Sequence, residues 1–95
     1  MSTPESKVKN KVKALLKARQ IYYFMPATWG YGRSGVPDFV GCVDGHFFTI
    51  ETKAGKAQPT ALQMREMRTI EESGGTTFVI NESNLDTLEA WLDTF

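Results

Sequence analysis

Gly35-Val36-Pro37-Asp38-Phe39-Val40-Gly41-Cys42-Val43-Asp44-Gly45-His46-Phe47-Phe48-Thr49-Ile50-Glu51-Thr52-Lys53 is the stretch that decides the fold. Two runs rich in Val, Ile, Phe and Thr flank Asp44-Gly45. Asp-Gly at the centre of a two-residue loop is the strongest short-range hairpin signal, because both positions need positive φ. The turn also sets the register. With Val43 facing His46, the numbers of paired residues sum to 89, so Asp38 on the first strand lies opposite Glu51 on the second. The two carboxylates then share one face of the sheet.

Side chains directly opposite in an antiparallel pair have Cβ atoms about 5 Å apart, and like charges there repel. At an effective dielectric near 20 the repulsion is roughly 3 kcal/mol. Such a pair is tolerated when a cation sits between its members. Lys53, two residues beyond Glu51 and on the same face, is one candidate; a divalent ion with oxygen ligands is the other. Pro37 cannot donate to a ladder and so belongs where pairing begins, which places Asp38 at an accessible end of the sheet.

Upstream, Thr3-Pro4 reads as an N-cap and first helical residue, and Val8, Val12, Leu15 and Leu16 recur at helical spacing. A helix over 4–19 is predicted, with lysines 7, 9, 11, 13 and 17 beside its apolar stripe. Glu5 lies in line with Val8, Val12 and Leu16, on the face turned to the sheet. A helix N-terminus favours negative charge through its dipole, which is one reason for an acid there; a place in a metal site is the other. Residues 20–25, Gln-Ile-Tyr-Tyr-Phe-Met, suit a strand that stops at Pro26. A loop over 27–36 holds Trp29, Tyr31 and Arg33. Within it Gly30-x-Gly32-x-x-Gly35 matches a dinucleotide fingerprint, but that fingerprint requires a helix to open after the glycines, and Pro37 followed by a β-rich run forbids one. The aromatics can stack on bases and Arg33 can meet phosphate, or Trp29 and Tyr31 can pack as lids on the core.

Downstream, a helix is predicted over 59–73, opening at Pro59 and stopping at Gly74-Gly75. Gln63, Met67 and Ile70 form its inner line, so an amide that must find partners sits in an apolar stripe. Met64 and Met67 read as core and interface filler. Thr76–Ile80 is a short strand. The 22 residues between it and Lys53 include a helix, so it should run parallel to the Glu51 strand through a crossover. Ser83 with Asp86 can cap a last helix carrying Leu85, Leu88, Trp91, Leu92 and Phe95. His46, alone beyond the turn, reads as a surface side chain.

Ninety-five residues make one domain, 1–95, with a single small core. The lone Cys42 excludes an intramolecular disulfide framework and a cysteine zinc site; it reads as a small buried hydrophobe on a strand. No apolar run reaches the length of a membrane span, and the lysine-rich start lacks the apolar core of a signal peptide. An intracellular, cytoplasmic protein without a membrane partner is the expectation. Net charge is zero, yet all eleven Lys and Arg fall in residues 1–68, whereas residues 69–95 hold six acids and no base. That asymmetry suits a basic surface for an anionic partner with the acidic segment turned away, and equally a pair of ordinary solvated helix faces.

Pro37-Asp38 followed by Glu51-Thr52-Lys53 resembles the PD-(D/E)xK nuclease motif, and with Gly35-Val36 before it the pattern is similar to the VRR-NUC branch of that superfamily. The resemblance implies an α/β fold: a restriction-endonuclease-like αβββαβ core, a mixed four-stranded sheet flanked by helices, here with an extra C-terminal helix. It implies a metal-dependent endodeoxyribonuclease using Mg²⁺ or Mn²⁺, held by Asp38, Glu51 and the backbone carbonyl of Thr52, with Glu5 on the first helix as a further acid. Lys53 would orient or deprotonate the water, and Gln63 would position water or Lys53. Lys7, Lys11, Arg33, Lys56, Trp29 and Tyr31 are the candidate DNA contacts. Stand-alone proteins of this branch act as homodimers on four-way junctions, so a Holliday junction resolvase is expected. The dimer interface would include the Met64, Met67 helix or the Ile21–Met25 strand. The alternatives are a catalytically idle nucleic-acid-binding or accessory module on the same fold, and a general flap or single-strand nuclease.

Overall fold

A computed structural model describes residues 3–27 and 33–95. Its elements are α1 (Pro4–Ala18), β1 (Tyr22–Phe24), β2 (Phe39–Val43), β3 (His46–Thr52), α2 (Ala61–Glu72), β4 (Thr76–Ile80) and α3 (Leu85–Leu92), the order read from the sequence. Trp29 and Tyr31 lie outside the described residues, as do the first two glycines of the Gly30-x-Gly32-x-x-Gly35 pattern. Gly35 is described, and the chain beyond it enters β2 and not a helix.

The Thr3 hydroxyl accepts from Ser6 N–H at 3.1 Å, Pro4 opens α1, and Val8, Val12 and Leu16 are its buried stripe. The chain remains in the helix's last turn beyond Ala18: Ile21 N–H still donates to Leu16 C=O at 2.9 Å, and Gln20 takes φ +56°. This left-handed residue consumes part of the stretch expected as strand, which is why β1 holds three residues and not six.

The hairpin forms as expected. Asp44 and Gly45 have φ of +49° and +82°, and Val43 pairs with His46, continuing to Phe39 with Ile50. The sheet order is β1-β2-β3-β4. β1 and β2 are antiparallel, as are β2 and β3, and β4 lies parallel to β3 as the long connection requires. Over the described residues the molecule is therefore a compact α/β protein with a mixed four-stranded sheet and three helices.

One sheet face carries the core. Phe39, Phe48, Ile50 and Ile80 pack with Val8, Val12 and Leu16 of α1 and Leu88 and Leu92 of α3, all at most 4% exposed. Gly41 is required there, since a Cβ would stand 2.5 Å from the Phe48 ring. Trp91 closes the rim, edge-on to Phe48, Phe78 and Phe95. On the other face the cover is thin. α2 contributes no buried residue, and Tyr22 and Phe24 are 67% and 49% exposed. Cys42 pairs with Tyr22 in the ladder and shares that face; it is exposed, contrary to the expectation of a buried thiol.

Two helix starts differ from the sequence reading. α2 opens one residue beyond Thr60, not at Pro59: Thr60 and Gln63 form a reciprocal capping box. α3 has Asn84, not Ser83, at its cap position. The Asn84 amide instead ties the turn together, accepting from Asn81 N–H at 2.7 Å and donating to Val79 C=O at 2.8 Å.

Candidate functional site

The acid pair gathers at the end of the β2–β3 ladder. Pairing ends at Phe39 and Ile50, one step before Asp38 and Glu51. Asp38 thus begins at the expected position, but its carboxylate turns to the next residue along β3. Its Oδ2 accepts from Thr52 N–H at 2.8 Å and from the Thr52 hydroxyl at 2.7 Å. Thr52 is fully buried and the Asp38 side chain partly so, which shields these two bonds in part from water. Behind Asp38 the chain is held close to α2. Gly35 has φ +75°, and a Cβ on it would lie 2.5 Å from Leu62 C=O.

Glu51 is 4% exposed. Gln63 Nε2 donates to its Oε1 at 3.0 Å, while Gln63 Oε1 accepts from Thr60 N–H at 2.8 Å. One amide therefore caps α2 and fixes the Glu51 carboxylate, which accounts for a polar residue in the apolar stripe. The Thr-x-x-Gln spacing of a capping box was present in the sequence and would have placed both the helix start and the amide.

Burial raises the Glu51 pKa from 4.5 to about 8. The Asp38 charge, a hydrogen bond with the Asp38 side chain and the more distant Glu5 push the same way, against the opposing charge of Lys53. Even with Lys53 nearby, then, the protonated form of Glu51 is favoured at neutral pH.

Lys9 is the residue that the sequence reading missed. Its Nζ lies 3.7 Å from Asp38 Oδ1 and 3.7 Å from Glu5 Oε2. Among the described residues it is Lys9, not Lys53, that forms an ion pair with Asp38. The available signal was Glu5-x-x-x-Lys9, one helical turn of opposite charge on the face turned to the sheet. Lys53 continues from β3, its N–H donating to Ile80 C=O at 2.9 Å, and acts on Glu51 through charge. Glu5 is linked to Asp38 through Lys9, which pairs with both. Among the described residues no group of three or more His, Cys, Asp or Glu side chains comes together as a metal cage. The donors that meet directly are the Asp38 and Glu51 carboxyls, a hard-oxygen set that fits Mg²⁺ or Mn²⁺.

The candidate DNA contacts are dispersed. Lys7 and Lys11 line a groove with Pro4, Val8 and Glu82, on the side of α1 away from Lys9. Lys56 is exposed in the loop after β3. Arg33 pairs with Glu66 of α2 at 2.8 Å. The acidic C-terminal segment is not turned wholly away from the basic one. Arg19 meets Asp93 at 2.6 Å, and Glu82 accepts from Gly55 N–H at 2.7 Å. A cavity of about 570 Å³ opens elsewhere, between the hairpin turn and the end of α2, lined by residues that include Arg33, Phe47, Glu66 and Ile70. The acid pair is not among the described residues that line it. His46, exposed, packs against Phe95 with the ring centroids 4.8 Å apart and the planes tilted by 49°.

No protein family model matches the chain, and no curated protein matches it. No described helix is long and apolar enough to cross a membrane.

Proposed function

We propose that the protein is a divalent-metal-dependent DNA endonuclease on a restriction-endonuclease-like core, acting as a homodimer that resolves four-way junctions. One observation carries the reading: the Glu51 carboxyl, 4% exposed, sits beside Asp38 at the sheet end, where burial and the Asp38 charge raise its pKa. Burying two carboxyls together at a sheet end destabilises a fold, and a bound divalent ion relieves that penalty. Asp38 and Glu51 would hold Mg²⁺ or Mn²⁺, with the Thr52 carbonyl as a further oxygen. The ion, when bound, would activate water and neutralise phosphate charge. Lys53 supplies a cation beside the developing charge, and Gln63 fixes Glu51 in place through the bond at 3.0 Å.

Thr52 supports a second reading. Its N–H and hydroxyl both donate to Asp38 Oδ2, so Asp38 already has a structural task as the clasp of the β2–β3 end. A catalytically idle nucleic-acid-binding module would keep that clasp. The deciding experiment is a panel of labelled single strands, duplexes, flaps and four-way junctions with Mg²⁺, Mn²⁺, Ca²⁺ or EDTA. The nuclease cleaves in Mg²⁺ or Mn²⁺ and is silent in EDTA. Activity surviving in EDTA refutes the metal mechanism, and binding without cleavage in every metal favours the idle module. Equal cleavage of duplex and junction, or a monomeric mass by light scattering, reduces the proposal to a general nuclease.

A further inference from the structure

The cation that the structure places against the acids is a side chain. Lys9 stands one helical turn beyond Glu5, in the Glu-before-Lys order that α-helices favour. Its ammonium reaches Glu5 Oε2 and Asp38 Oδ1 at 3.7 Å each. Neither distance is that of a hydrogen bond, so the lysine is held by charge and not by directed bonds. Its side chain is 32% exposed, which leaves solvent open to receive it. Lys7 and Lys11, roughly 200° around the helix from Lys9, cannot replace it. Asp38 Oδ2 already accepts two hydrogen bonds from Thr52, so Oδ1, the oxygen that lies 3.7 Å from Lys9, is the better placed of the two to bind an ion.

We infer that Lys9 is the internal counter-ion of this site: it neutralises Asp38 in the metal-free protein, and a divalent ion must displace it from Oδ1 to bind. Lys9 thereby sets the metal affinity. The inference rests on the proposed metal-binding role of Asp38 and Glu51. A flexible stem with a strongly hydrated head suits the task, since the ammonium can move into water without breaking a directed contact. The ammonium and the ion cannot occupy the same space against Oδ1, and like charges at that range repel.

Calorimetric titration of Mn²⁺ into the whole protein, with no substrate present, tests this. Lys9→Met keeps the aliphatic stem and removes the charge; it should bind Mn²⁺ about three- to tenfold more tightly than wild type. Lys9→Arg, which restores the charge, should stay within about twofold of wild type. Thermal melts in EDTA at low salt should show the Met variant less stable than wild type, with the gap closing in high salt. Wild-type binding that Lys9→Met leaves unchanged or weakens overturns this inference alone. No binding by any of the three proteins overturns the proposed function, and this inference with it.

Discussion

Replacing Glu51 by Gln should stabilise the metal-free protein, and do so increasingly as pH rises from 4.5 to 8. The folded pKa of Glu51 stands at about 8 against 4.5 in the ordinary state. An acid whose folded value is raised binds its proton more tightly in the native protein. Its stabilising effect is complete below pH 4.5, fades as pH climbs, and is gone above about pH 8. For these two values the loss between pH 6 and pH 8 is about 2 kcal/mol, and the whole loss is on the order of 5 kcal/mol. In a domain of this size that first interval corresponds to roughly 10 °C in Tm. The substituted amide would imitate the protonated acid without titrating, and its carbonyl oxygen can still accept from Gln63 Nε2, which in the wild type donates to Glu51 at 3.0 Å. The assay is urea or thermal unfolding in EDTA across pH 5–9 for both proteins. The difference between them cancels the titrating groups that do not interact with Glu51. Saturating Mn²⁺ should then recover the wild type at pH 8 and leave Glu51→Gln unmoved. Parallel pH profiles would refute the reasoning, because they would show Glu51 ionised at no penalty.

Thr52→Val removes the buried hydroxyl at 2.7 Å from Asp38 Oδ2 while keeping the backbone donor. It should cost about 1–3 kcal/mol in chemical unfolding and loosen Asp38. Lys53→Ala should lower turnover on a cleaved substrate by about 10²-fold or more while Mn²⁺ affinity, measured by calorimetry, changes little. A variant that keeps its turnover removes Lys53 from the chemistry.

Much of the fold was legible because its signals were local. Asp44-Gly45 specified a turn that only positive φ satisfies, and the resulting register ran unbroken to Phe39 and Ile50. The stripe Val8, Val12, Leu16 and the Gly74-Gly75 stop behaved likewise. The misses share a cause: competition between a local signal and a neighbouring element. β1 shrank because α1 kept its last hydrogen bonds through Ile21, a tertiary outcome that β propensity does not register. Cys42 is exposed because α2 does not extend over β1 and β2, and no property of Cys42 itself encodes where a distant helix stops. The order-setting role of Asn84 depends on carbonyls of β4 that only the folded chain brings near.

At the candidate site the sequence placed the acids but not the forces between them. Register alone put Asp38 beside Glu51, and the expectation of a cation followed from their repulsion. Lys53, nearest in sequence and on the right strand face, was one candidate for that cation, and a divalent ion was the other. Strand alternation, however, controls only where a side chain leaves the backbone, while an ammonium on a long stem goes where unsatisfied charge is strongest. Thr52 takes one oxygen of Asp38 from the sheet side, so the remaining charge points out past the sheet end, toward the first turns of α1. Lys9, stationed there by Glu5, meets it, and Lys53 is left free of that ion pair. Lys9 is held against the acids by its pairing with Asp38, while Lys53 acts on Glu51 through charge. The exchange of roles between Lys9 and Lys53 is thus what a site needs if the same two carboxyls are to be neutral when empty and receptive when a stronger cation arrives.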